Sequence, residues 1–144
     1  QFEEAALELR QAVALEPDSA KAHRNLGNVL ASRGDPNEAL THLKRAFEID
    51  PSDGEAGYDL GTLLLQQARV DEAVSVFRTV VRAKPDYAEA HNNLGIALGT
   101  QGRLAEAIEH FELALRLNPG FADARRNVEM ARRMVRLNPD TTSR

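Results

Sequence analysis

The chain has 144 residues, 42% of them hydrophobic and 28% charged, with no Cys, no Trp and a net charge of −4. That apolar share excludes a disordered chain, and no apolar run reaches the length of a membrane span. The missing Cys removes disulfides and thiolate metal sites, and the acidic balance argues against a general nucleic-acid binder.

Charge is unevenly spread. Residues 1–115 hold 11 basic and 19 acidic side chains, and residues 116–144 hold 7 basic, all Arg, and 3 acidic. The chain opens on Gln1 with neither Met nor a leader, which reads as a piece of a longer protein whose compartment is unknown.

The prolines set a period: Pro17, Pro51, Pro85 and Pro119 fall 34 apart. Residues 1–19 are expected to be the second half of a truncated unit. Its Phe2, Ala5, Ala6, Leu9, Ala12 and Val13 form one stripe at helical spacing. Three full units are expected at 20–53, 54–87 and 88–121, each of two helices. The first and third agree at 13 of 34 positions, with "AHRNLG" at 22–27 returning as "AHNNLG" at 90–95. Gly34 and Gly102 mark the turn inside a unit, where the middle unit has Ala68, and the prolines end each second helix. Residues 122–137 read as a further first helix and 138–144 as a tail. No segment alternates at period 2, so no strand is expected.

Three columns carry the packing. Gly27, Gly61 and Gly95 lie inside helices, where Gly costs about 1 kcal/mol relative to Ala, so a close helix approach is expected there. Ala5, Ala39, Ala73 and Ala107 form the facing small column, and Leu26, Leu60, Leu94, Leu9, Leu43, Phe77 and Phe111 fill the space around it.

These residues resemble the tetratricopeptide repeat (TPR) family: the 34-residue period, the Leu-Gly pair, the later Ala, the Leu or Phe four residues on, and the closing Pro. The column His23, Gly57, His91 departs from the family's frequent Trp, and Val80 stands where Ala is usual. The resemblance implies an all-α fold, a right-handed superhelix of antiparallel helix pairs whose first helices line a concave groove.

The four histidines do not suggest a metal or catalytic set. His23 and His91 share one column, as do His42 and His110, so each pair lies two units apart. Stacked helices are spaced by roughly 10 Å, too far for a shared metal. Metalloprotease, nucleophile-elbow and phosphate-loop motifs are absent, and acids such as Glu3/Glu4 and Asp71/Glu72 suit the starts of second helices. The sequence therefore reads as neither an enzyme nor a cofactor binder.

Function is expected on the groove. Asn25, Asp59, Asn93 and Asn127 form one column, and an amide can both donate to and accept from a peptide main chain. The column resembles the asparagine ladder in the repeat arm of O-linked N-acetylglucosamine transferases, with Asp59 as the departure. The other groove columns are Lys21, Glu55, Glu89 and Asp123; Arg24, Tyr58, Asn92 and Arg126; Asn28, Thr62, Ile96 and Met130; and Ala31, Leu65, Gly99 and Arg133. The family's carboxylate clamp for chaperone tails is rejected. Arg24 and Asn28 fit it, but Asp59, Glu89 and Asn93 stand where Asn, Lys and Arg are needed.

The leading reading is a scaffold binding an extended peptide or protein segment, without nucleic acid or membrane insertion. The alternatives are the substrate-recruiting arm of a larger enzyme such as a glycosyltransferase, and a self-assembling scaffold. Self-association is expected at the N-terminal edge, with Phe2, Ala6, Leu9 and Val13 bare on one side. At the other end the Gly27, Leu30 and His23 columns become Glu129, Arg132 and Arg125, as a polar terminal cap would require. Glu129 is placed to pair with either Arg on the helix surface.

Overall fold

The computed structural model describes residues 1–139, so only the first two residues of the expected 138–144 tail fall within it. Eight helices follow in chain order among the described residues: α1 (Phe2–Leu15), α2 (Ala20–Arg33), α3 (Pro36–Ile49), α4 (Gly54–Gln66), α5 (Val70–Ala83), α6 (Ala88–Thr100), α7 (Leu104–Leu117) and α8 (Ala122–Leu137). These residues contain no strand.

Local chemistry sets the helix ends. Ser19 Oγ accepts from the Ala22 N–H, and Asp53 accepts from the N–H groups of Glu55 and Ala56. Pro36 occupies the first turn of α3, where its missing N–H has no helical partner to lose. The turns inside the helix pairs need a left-handed residue. Gly34 (φ 92°) and Gly102 (φ 78°) supply it freely, whereas Ala68 is held there at φ 57° with a Cβ.

Antiparallel pairs α2–α3, α4–α5 and α6–α7 stack in order, with α1 against α2 and α8 against α7. The even-numbered helices approach one another closely along the array, whereas the backbones of the odd-numbered ones stay farther apart. That asymmetry curves the stack into a solenoid whose concave wall is α2, α4, α6 and α8. The core runs continuously through Leu26, Leu30, Leu43, Leu64, Phe77, Leu94, Leu98 and Phe111.

The glycine column marks the close helix approach that the sequence suggests. A Cβ at Gly27 would lie 2.7 Å from Leu43, at Gly61 2.6 Å from Phe77, and at Gly95 2.5 Å from Phe111. The space each glycine opens is filled by the large residue of its partner helix, and at Gly27 the Ala39 carbonyl also comes within 3.2 Å.

The N-terminal edge differs in part. Ala6 is fully buried and Leu9 and Val13 are half-buried where the stripe faces α2, while Phe2 is exposed as expected. The exposed apolar side chains of α1 are Phe2, Leu7 and Leu15. On α8, Ala124, Val128 and Ala131 are buried against the array, while Arg125, Glu129 and Arg132 are exposed. Glu129 forms no ion pair among the described residues. Arg132 reaches Glu112 of α7 at 2.6 Å, and Arg125 donates to the Pro119 carbonyl at 2.6 Å. Each Arg finds an acceptor off its own helix, so the pairing expected along α8 does not form.

Candidate functional site: the concave wall

A single geometric rule organises the wall. A side chain on one first helix meets the residue 31 positions later on the next. Asn28 Nδ2 donates to Asp59 at 2.8 Å, and Asn93 Nδ2 donates to Thr62 Oγ1 at 3.2 Å. Arg24 pairs with Glu55 and lies 3.8 Å from Asp53. The next rung would join position 96 to Asn127, but Ile96 has no polar atom. Asn127 instead donates to Asn92 Oδ1 at 2.9 Å, one turn back.

The rungs change what the asparagine column offers. Asn25, Asn93 and Asn127 are half-buried, not fully exposed, and Asn93 and Asn127 each direct one N–H sideways to a neighbouring helix. Asn92, assigned to the open wall by its column, is buried between α6 and α8. Ile96 offers no acceptor, and Asn127 finds one in Asn92. Lys21, Asn28, Glu55, Glu89, Ile96, Arg126, Met130 and Arg133 are exposed, and Arg24, Tyr58, Asp59 and Thr62 half-buried.

The middle of the wall is acidic and aromatic. Tyr58 stacks at a tilt on Tyr87, with ring centroids 5.3 Å apart, and meets the edge of Phe77. Burial, then Tyr58 and the acids Glu89, Asp59 and Glu55, push the Tyr87 hydroxyl up to about 12. Burial raises the Asp59 carboxyl, against the opposing effects of Asn28 and Arg24. The hydrogen bond that Arg24 donates to Glu55 raises its guanidinium, so this Arg stays charged and engaged. At the C-terminal end Arg126 pairs with Asp123 on its own helix, and Arg133 has no ion partner among the described residues.

Two features were missed in the sequence. The histidines pair inside a unit: His23 and His42 face each other Nδ1 to Nδ1 at 3.0 Å, and His91 and His110 at 3.1 Å. Nε2 of His23 lies 3.0 Å from the Pro17 carbonyl, and Nε2 of His91 lies 2.8 Å from that of Pro85. A carbonyl only accepts, so both Nε2 atoms carry the proton and both Nδ1 atoms accept from the partner ring. The 19-residue spacing was the available signal. Opposite the groove, Arg10–Glu38, Lys44–Glu72 and Arg78–Glu106 link successive second helices, each pair spaced by 28 residues. Among the described residues no three His, Asp or Glu side chains gather as a metal site, and no helix is long and apolar enough to cross a membrane.

Helix pairs stacked at a fixed period, with first helices forming a concave wall, define a helical-repeat solenoid. Tetratricopeptide repeat models match residues 20–53 and 58–122, and a TPR repeat model matches residues 1–34. The chain belongs to the tetratricopeptide repeat family. Among curated proteins none matches it. Solved structures similar to it include MamA, 24% identical with TM-score 0.88 over 97% of this chain and 82% of that one. Another is YrrB, described as a TPR protein with an unusual peptide-binding site, 25% identical with TM-score 0.84 over 99% of this chain and 73% of that one. A third is the first TPR of Spaghetti (RPAP3) bound to the HSP90 peptide SRMEEVD, 20% identical with TM-score 0.78 over 81% of this chain and 93% of that one. The MamA and RPAP3 likenesses are of fold.

Proposed function

We propose that this chain is a protein-interaction scaffold, without a reaction of its own, that holds an extended peptide or partner segment along its concave wall. The observation that carries the reading is the half-buried column Asn25, Asn93 and Asn127, set at repeat spacing on first helices. After its sideways bond, the Asn127 amide keeps a carbonyl oxygen and a second N–H, the groups a peptide main chain needs. YrrB and the RPAP3 repeat, which carry peptide sites on the same fold, support it by analogy.

The partner is not a chaperone tail gripped by a carboxylate clamp. Arg24 and Asn28, the two residues that fit the clamp, are tied to Glu55 and Asp59. Two acids there would repel a ligand carboxylate. The test is chemical-shift mapping with a peptide selected from a display library. Shifts at Tyr58, Thr62, Asn93 and Asn127 support the reading, and shifts confined to α3, α5 and α7 reject it.

A second reading, self-association, rests on exposed Phe2 and Leu15 of α1, at 54% and 83% exposure. Sedimentation velocity across a concentration series tests it: a monomer throughout rejects it, and a dimer lost in Phe2→Ser supports it.

A further inference from the structure

The clefts between consecutive first helices repeat along the wall, and they are not equivalent. The cleft between α2 and α4 measures ≈ 210 Å³ and is bounded by Asn28, Asp59, Thr62 and Gln66. The Asn28–Asp59 hydrogen bond crosses it. Two repeats later the same cleft, between α6 and α8, measures ≈ 320 Å³. Position by position, Asn28 is replaced by Ile96, Thr62 by Met130 and Gln66 by Met134. No rung can form, Asn127 turns to Asn92, and the cleft opens onto Leu104 and Phe111.

The rim is apolar as well. Ile96, Met130 and Met134 are 38%, 58% and 48% exposed, an unusual cluster of large apolar groups on one face. Methionine side chains adapt their shape to what they meet. The volume lies at the low end for small-ligand cavities, which suits one inserted side chain better than a whole cofactor. Arg133 lies one residue before Met134 and three after Met130, in the repeat column of Ala31, Leu65 and Gly99, and is exposed with no ion partner among the described residues. Near that rim a ligand carboxylate gains charge complementarity.

We propose that the α6–α8 cleft seats a large apolar side chain (Leu, Ile, Met or Phe) of a bound extended peptide, with an acidic residue beside it facing Arg133. This rests on the peptide-scaffold reading and names the ligand it selects. The wall then reads in one direction, acidic and hydrogen-bonding around Asp59 and Glu89, apolar and basic at α8.

The test is to pan a random dodecapeptide display library on the full chain and on three variants, each first checked for an unchanged helical spectrum. Ile96→Thr/Met130→Gln restores polar groups to the cleft, Arg133→Glu reverses the rim charge, and Asn25→Ala/Asn93→Ala/Asn127→Ala removes the ladder. The parent should enrich an apolar residue next to Asp or Glu at least tenfold over input. Ile96→Thr/Met130→Gln should lose the apolar preference, and Arg133→Glu should turn the acidic neighbour into Lys or Arg. Peptides that depend on the ladder but are indifferent to Ile96→Thr/Met130→Gln would overturn the cleft proposal and leave the scaffold reading intact. No enrichment on the parent would overturn both. A concentration-dependent dimer abolished by Ile96→Thr/Met130→Gln would assign the cleft to a second copy of the chain and overturn the peptide.

Discussion

Asn127 Nδ2 donates to Asn92 Oδ1 at 2.9 Å, although position 96 is the partner that the repeat geometry assigns to it. The bond ties α8 to α6 through a buried amide. Asn92→Ala removes the acceptor and leaves a half-buried donor, at a cost of about 1–2 kcal/mol. Urea denaturation checks this, and a loss under about 0.5 kcal/mol would show that the bond contributes little.

The left-handed turn gives a prediction of opposite sign. Ala68 carries a Cβ at φ 57°, where its two counterparts are Gly. Ala68→Gly relieves that strain and raises stability by about 0.5–1 kcal/mol. Gly95→Ala has the reverse outcome. Its Cβ would sit 2.5 Å from Phe111, so overpacking of about 1–3 kcal/mol exceeds the helix-propensity gain of about 1. Thermal melts of both variants decide the signs.

The histidine pairs make stability depend on pH. Burial, then His91 and Arg78, lower the His110 imidazole to about 4, with Glu106 opposing. Burial, then His23 and Arg10, lower His42, with Glu38 opposing. The unfolded chain takes up these protons near pH 6.5, so the contribution is complete above that pH. It is lost as pH falls from there toward about 4 for His110. From pH 7 to 5 the loss is on the order of 1 kcal/mol for His110, after discounting for partial exposure. His110→Gln should flatten the dependence of the urea midpoint in that window; an unchanged slope would place its origin elsewhere.

The fold was legible because a solenoid repeats its instructions. Pro17, Pro51, Pro85 and Pro119 fix the period, and Leu26, Leu60 and Leu94 fix the buried face. What the sequence hid lies between columns. Column reading sees residues 34 apart, whereas rungs join residues 31 apart, histidine pairs 19 and outer ion pairs 28. Asn92 was misplaced for this reason: its partner Asn127 lies 35 residues on, outside its column. On α1 the stripe is bare at Phe2 as its spacing suggests, but Ala6 is buried and Leu9 and Val13 half-buried against α2, and Leu7 and Leu15 outside the stripe are exposed.

Ala124, Val128 and Ala131 of α8 cover the array while Arg125, Glu129 and Arg132 face water, and we propose that this helix acts as a polar cap. Deleting residues 122–144 uncovers apolar surface on α6 and α7. Lower solubility and a melting temperature several degrees lower are expected. A truncated chain as soluble and stable as the parent would remove the capping role.

The central claim is that the asparagine column on the concave wall binds a peptide main chain. Its most direct test is the affinity of one library-selected peptide for the parent and for Asn25→Ala/Asn93→Ala/Asn127→Ala, measured by isothermal titration well below the melting temperature of both. At least a tenfold weaker Kd is expected for the triple variant, with the helical spectrum retained. An unchanged Kd would contradict it.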